Sequence, residues 1–120
     1  MVTSILVVDD EPDARYLLRY AFERAGYVVS EAADGLAAIT AIAVCAPALV
    51  VTDMMMPVMD GAELIQHLRA DPRTADIPIL AVSGNCEQAI GADLALDKFG
   101  DLSNLIPLVQ ALIEKGHNSR

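Results

Sequence analysis

The chain has 120 residues, of which 54% are hydrophobic, and this size and composition indicate one folded domain, residues 1–120, and exclude a disordered chain. Its formal net charge of −9, with only eight Lys and Arg residues, argues against binding to nucleic-acid phosphates, so we expect no nucleic-acid partner. No apolar run approaches the roughly 20 residues that cross a bilayer, and the first residues have no basic signal region, so we expect a cytoplasmic protein with no membrane contact.

Apolar runs alternate with amphipathic stretches along the whole chain. The predicted strands are residues 4–8, 27–32, 48–53, 78–83 and 93–97, and the predicted helices are residues 12–25, 35–46, 61–70 and 102–115. The core-facing stripe of the first helix is predicted to be Ala14, Leu17, Leu18, Ala21, Phe22 and Ala25. Strands that alternate with helices indicate an α/β fold, with a doubly wound five-stranded parallel sheet between two helical layers.

Polar residues stand where four of these strands end. Asp9 and Asp10 end the first strand, Asp53 ends the third, Ser83 ends the fourth, and Lys98 follows the fifth. The carboxyl ends of parallel strands meet at one edge of a sheet, and ligands of doubly wound folds bind there. Two carboxylates about 4 Å apart repel by roughly 4 kcal/mol at an effective dielectric near 20, so a cation is expected beside them.

This set of residue types suits phosphoryl chemistry. Carboxylate oxygens are ligands for Mg²⁺. We therefore expect Asp10 and Asp53 to coordinate the ion directly, and Asp9 to act through a water molecule or to contact the groups that coordinate the ion. An Asp53 oxygen is then a candidate nucleophile toward phosphorus. Lys98 and Ser83 would hold the oxygens of the transferred group. Solvated loop acids, or a metal site that is never phosphorylated, are the alternatives.

The stretch "VTDMMMPVMDG" resembles the phosphoacceptor segment of the receiver domain of two-component response regulators. "VVDDEP", "AVSG" and "GADLALDK" extend the resemblance over essentially the whole chain. It implies a flavodoxin-like (CheY-like) three-layer sandwich, and it implies that a histidine kinase or histidine phosphotransfer protein donates a phosphoryl group to Asp53. It further implies that Asp10, Asp53 and the backbone carbonyl of Met55 hold Mg²⁺. Such a domain catalyses only its own phosphorylation and dephosphorylation, and signals to a downstream protein through a shift between two packings.

Three features depart from the family pattern. Phe99 stands where a proline usually follows the lysine, and Ala95 stands where the family has a switching aromatic residue. Only 14 residues separate Ser83 from Lys98, so the family's fourth helix, between the fourth and fifth strands, is expected to be shortened or irregular. We expect partner contacts to move to the first or last helix. The alternative function is a pseudo-receiver, a protein docking module that works without phosphorylation.

Overall fold

The computed structural model describes residues 3–83, 90–97 and 103–118. Its strands are β1 Ser4–Val8, β2 Val28–Ala32, β3 Leu49–Asp53, β4 Ile79–Ser83 and β5 Leu94–Asp97. Its helices are α1 Pro12–Arg24, α2 Gly35–Val44, α3 Gly61–Ala70 and α4 Leu105–Asn118. All nine of these elements were predicted; β1 and α3 have the predicted bounds, and the bounds of the others differ by one to three residues.

The five strands form one parallel sheet in the order β2-β1-β3-β4-β5. The predicted α/β doubly wound fold is therefore confirmed. The chain adds strands on one side of β1 first and then on the other, so the strand order reverses between β1 and β3. In folds of this class, that reversal point opens the crevice in which ligands bind.

The sheet is buried on both faces because its strands alternate their side chains between two helical layers. Leu6 and Val8 of β1 belong to the core shared with α2 and α3, whereas Ile5 and Val7 belong to the core shared with α1 and α4. Phe22 of α1 is fully buried in the second core. This two-residue period is the geometry expected of a strand between two layers.

Two details of the helices differ from the sequence expectation. Leu17 and Ala25 were predicted to face the core, but Leu17 is 67% exposed and Ala25 is also exposed, because α1 turns Phe22 most directly toward the sheet. The last helix begins at Leu105 rather than at residue 102 and continues to Asn118. Gly116 allows this extension, since a Cβ there would lie 2.7 Å from Cγ of Pro78.

The connection from β4 to β5 is anchored by one arginine of α3. The sequence predicted a short or irregular helix within this connection, at residues 84–92. Residues 84–89 lie outside the described residues, and Ile90 and Gly91 form a turn. The Arg69 guanidinium donates hydrogen bonds of 2.7–2.9 Å to the carbonyls of Ala75, Ile77 and Gly91 and to Asp93 Oδ2. Asp93 Oδ2 also accepts a 2.7 Å hydrogen bond from the Ile79 amide. Arg69 therefore joins the residues that precede β4 to those that precede β5.

No helix among the described residues combines the length and the apolar character that a bilayer crossing requires. The cytoplasmic location expected from the sequence stays a prediction.

Candidate functional site

Three carboxylates meet at the carboxyl edge of the sheet. Asp9, Asp10 and Asp53 each offer an oxygen, and the three oxygens lie within 4.8 Å of one another. Asp9 is 2% exposed and Asp53 is 6% exposed, whereas Asp10 faces solvent. The structure thus brings together three of the residues that the sequence singled out.

The strand register explains this meeting. β1 and β3 are neighbours, and their register pairs Val8 with Thr52. The residues that follow, Asp9 and Asp53, therefore come side by side at the end of the pair. Asp10 continues from β1 into the loop that leads to α1.

Backbone amides orient the two buried carboxylates. Asp53 Oδ1 accepts a 2.7 Å hydrogen bond from the Met54 amide and a longer one, 3.4 Å, from the Met55 amide. Asp9 Oδ1 accepts a 2.9 Å hydrogen bond from the Glu11 amide. These hydrogen bonds fix the orientation of both carboxylates at the edge of the sheet.

This donor set fits a hard divalent cation. Burying two carboxylates beside a third is unfavourable unless a positive charge accompanies them. Mg²⁺ is held in proteins by one or two carboxylates together with waters and phosphate oxygens, and the three oxygens here supply ligands of that kind.

The loop after β3 packs closely on the start of α3. A Cβ on Gly61 would stand 2.7 Å from Cα of Met54, and closer still to the carbonyl oxygen of Asp53. Asp60 caps α3, since its side chain accepts a 2.9 Å hydrogen bond from the Glu63 amide. The Asp-Gly pair of the sequence motif thus starts the helix against the backbone of Asp53.

Within the same loop, Val58 has a φ of 67°, in the left-handed region. A β-branched residue is strained in this conformation, and strain of this kind concentrates at functional sites. The side chain is 76% exposed, so burial of its methyl groups does not explain it.

The hydrogen bond of Arg15 to the acid cluster was not predicted from the sequence. Arg15 Nη1 donates a 2.6 Å hydrogen bond to the carbonyl of Asp9, and its Nε lies 3.0 Å from Glu31 Oε1. Arg19 reaches the other oxygen of Glu31 at 2.7 Å. The Arg19 hydrogen bond, with that of Arg15, holds the pKa of the Glu31 carboxyl below its ordinary value.

The remaining predicted site residues are only partly described. Val82 is the register partner of Asp53, so Ser83 ends β4 one residue further along the same edge. The side chain of Ser83 and all of Lys98 lie outside the described residues, and their roles stay predictions. Met55 follows Asp53 by two residues and is 70% exposed. The role of its carbonyl as a metal ligand also stays a prediction.

The chain was compared with known proteins. The family model described as response regulator receiver domain matches residues 5–108. The DNA-binding dual master transcriptional regulator RpaA of Synechocystis sp. is 36% identical over 118 residues, which are 92% of this chain and 49% of that protein. The phosphate regulon transcriptional regulatory protein PhoB of Pseudomonas aeruginosa is 32% identical, covering 93% of this chain and 52% of that protein.

Among solved structures, the response regulator protein TrrA from Thermotoga maritima in complex with Mg(2+)-BeF superimposes with a TM-score of 0.84. The two are 28% identical, and the match covers 92% of this chain and 99% of that chain. This agreement supports the assigned fold over almost the whole chain.

These comparisons overturn one expectation. The chain spans about half the length of both curated relatives, and one of them is by name DNA-binding. Excluding a nucleic-acid partner was therefore wrong. The net charge of −9 describes 120 residues only, so it cannot decide what a protein about twice as long binds.

Proposed function

The chain belongs to the family of response regulator receiver domains, the signalling modules of two-component systems, and on this premise we propose that residues 1–120 form one receiver domain whose phosphoacceptor is Asp53. The observation that carries the proposal is the assembly of Asp9, Asp10 and Asp53, with oxygens within 4.8 Å, at the reversal point of the sheet. The near-complete burial of Asp53 and the amide hydrogen bonds to its Oδ1 support the proposal, because they hold the carboxylate in one place at the edge of the sheet.

In the proposed reaction, a carboxylate oxygen of Asp53 attacks the phosphorus of a phosphohistidine on the donor protein. A P–O bond forms as the P–N bond breaks, and the bonding electron pair goes to the imidazole nitrogen, which takes up a proton. The Met54 amide holds the Asp53 carboxylate in one orientation, which lowers the entropy lost on reaching the reactive geometry. Lys98 and Ser83 are proposed to hold the phosphoryl oxygens.

We assign Mg²⁺ as the accompanying ion. Asp10, Asp53 and the backbone carbonyl of Met55 would hold it, with Asp9 acting through water. When bound, Mg²⁺ offsets the charge of the carboxylates and of the phosphoryl oxygens. The Mg(2+)-BeF complex of the similar protein TrrA supports this choice.

Docking of the phosphoryl donor is proposed on α1, whose first turn adjoins the acid cluster. Tyr16, Leu17 and Tyr20 are 65%, 67% and 51% exposed, which is unusual for large apolar side chains lying together on one helix. A histidine kinase or histidine phosphotransfer protein is the expected donor.

Phosphorylation would add a charge of about −1.5 to −2 beside the cluster and shift the balance between two packings of the domain. In a protein built like RpaA or PhoB, we infer that this shift reaches nucleic acid through a part of the protein other than these 120 residues. The alternative, a docking module that works without phosphorylation, is less consistent with the assembled acids.

Acetyl phosphate tests the proposal without the natural donor. Incubation with acetyl phosphate and Mg²⁺ should add about 80 Da to the intact chain, the mass of one phosphoryl group. Asp53→Asn and chelation of Mg²⁺ should each abolish the adduct. Asp76→Asn, a matched change at an exposed acid away from the cluster, should leave it intact. A wild-type chain that stays at its unmodified mass would favour the docking module.

A further inference from the structure

Among the described helices, α2 is the one without charged residues. None of residues 35–52 is charged, whereas α1, α3 and α4 each carry charged side chains. A helix on a protein surface normally places charged and polar residues on its outward face. The outward face of α2 therefore lacks the charged side chains that normally make an exposed helix face favourable in water.

That face forms a continuous stripe. Its exposed residues follow helical spacing and are Leu36, Ala37, Thr40, Ala43 and Val44. Leu36 is 53% exposed near one end, and Val44 is 85% exposed at the other. We call these five residues the α2 stripe. Clustered exposed apolar side chains of this kind mark interaction surfaces.

A groove runs beside the stripe, between α2 and the end of α3. It has a volume of about 310 Å³, and its apolar lining includes Ile39, Ile42 and Leu68. Ala43 belongs both to the groove and to the α2 stripe, and because it is small it leaves the groove open toward the stripe. A side chain that packs on the C-terminal half of the stripe could thus enter this groove.

We propose that a second copy of this chain covers the α2 stripe, with the two α2 helices antiparallel about Thr40. Two copies that each carry a net charge of −9 repel, so they associate most readily where no charged side chains meet. The α2 stripe provides such a surface on both copies. A two-fold symmetric contact requires a self-complementary surface, and the stripe meets this requirement.

The orientation follows from the charged groups at the two ends of the stripe, Asp34 at one end and the Asp71–Arg73 pair at the other. Asp34 caps the N-terminal end of α2, and Arg73 lines the groove beside Ala46, just beyond the C-terminal end. The Arg73 side chain is 87% exposed, so its guanidinium is accessible to a further carboxylate besides Asp71. Antiparallel pairing brings Asp34 of one copy toward Arg73 of the other, whereas parallel pairing would bring like charges together.

The register about Thr40 also makes the two helix surfaces complementary in shape. It sets Leu36 of one copy opposite Val44 of the other, and Ala37 opposite Ala43. Leu36 of the second copy then reaches the mouth of the groove at Ala43. The small central residues allow the helix axes to approach to roughly 8–10 Å.

The expected contact is small. One exposed helix face of this length covers roughly 500 Å² per copy, or about 1,000 Å² in total, at the lower limit of specific interfaces. We therefore expect a weak dimer that dissociates on dilution.

Sedimentation equilibrium of the 120-residue chain from about 10 to 500 µM tests the proposal. The wild type should self-associate as a monomer–dimer system. Val44→Asp should raise the dissociation constant at least about tenfold, because it buries a charge against a second apolar surface. The matched control Ile90→Asp, also at an 85% exposed apolar residue but away from the stripe, should change it less than about twofold. A wild type that stays monomeric, or equal effects of the two variants, would overturn the proposal and leave the stripe to a different protein.

Disulfide trapping tests the antiparallel register. In a Cys45→Ser, Cys86→Ser background, Thr40→Cys should form a covalent dimer on mild oxidation, because residue 40 meets its own copy at the axis. Leu36→Cys is the control and should stay monomeric, since its own copy lies at the far end of the contact. Equal crosslinking of both variants would indicate parallel pairing, and no crosslinking at residue 40 would also contradict the proposed arrangement. Far-UV circular dichroism of each variant verifies that it is folded.

Discussion

Arg15 is hydrogen-bonded at 2.6 Å to the backbone carbonyl of Asp9, so the first helix is tied to the acid cluster by a side chain as well as by the connecting loop. The Arg15 side chain is only 18% exposed and also pairs with Glu31 on β2. A largely buried cation thus lies against the main chain of a residue of the acid cluster. Arg15 thus joins α1 to the end of β1 and to β2.

We expect Arg15→Ala to lower the free energy of unfolding by about 1–2 kcal/mol, because it removes the hydrogen bond to Asp9 and the pair with Glu31. Urea unfolding followed by circular dichroism measures this, since the chain has no tryptophan. Arg24→Ala is the control: Arg24 contacts the exposed Tyr20 of its own helix, and its loss should cost less than about 0.5 kcal/mol. Equal losses for both variants would contradict a special role for Arg15.

Glu31→Gln should make stability less dependent on pH. The arginines lower the pKa of Glu31 in the folded state from its ordinary 4.5, so the charged carboxylate contributes stability above that pH. At pH 7 the variant should be less stable than the wild type by about 0.5–1 kcal/mol. The difference should shrink as the pH falls through the lowered pKa, where the wild-type carboxyl also becomes neutral. Unfolding curves at pH 7 and at decreasing pH below 4.5 measure it, and a difference that stays constant over this range would contradict the assignment.

Gly61→Ala should directly disturb Asp53, the proposed phosphoacceptor. The new Cβ would overlap the Asp53–Met54 backbone, and relief of this overlap should cost about 1–3 kcal/mol of stability. Because Asp53 itself must move, phosphorylation by acetyl phosphate should slow even under conditions in which the variant is folded. Ala62→Gly, at the exposed neighbouring position, should leave the phosphorylation rate unchanged. A Gly61→Ala variant with wild-type stability and rate would refute the close packing.

Val58→Asn should stabilise the fold. Asn tolerates the left-handed region better than valine does, and relief of this strain is expected to raise the free energy of unfolding by about 1 kcal/mol. Val58→Thr keeps the β-branch and the strain, so it should remain within about 0.5 kcal/mol of the wild type. Chemical denaturation of the wild type and the two variants distinguishes strain relief from a general benefit of a polar side chain. A general benefit would raise the free energy of unfolding of both variants alike.

Much of the fold was accessible from the sequence because the pattern and the topology constrain each other. Continuous apolar runs between amphipathic stretches leave a parallel two-faced sheet as the consistent solution. A parallel sheet then brings strand ends together, which is why Asp9, Asp10 and Asp53 could be expected at one place before any contact was known.

What could not be predicted depends on tertiary contacts that no local pattern encodes. The hydrogen bond from Arg15 to Asp9 depends on the angle between β1 and α1 and on the rotamer of a long side chain. The extension of α4 depends on the contact between Gly116 and Pro78, which are distant in sequence. The wrong exclusion of nucleic acid had a different origin, since the charge of 120 residues was used to exclude a class of partner, whereas the curated relatives are about twice as long.

The hydrogen bonds of Arg69 have a consequence for how this fold tolerates change. Because the guanidinium binds Ile77 before β4 and Asp93 before β5, the start of the edge strand is held to α3 as well as to β4. We therefore expect the sheet to tolerate insertions, deletions and exchanges of sequence between Ser83 and Gly91. A longer helix or a foreign recognition loop could then be grafted there while the strand order is preserved.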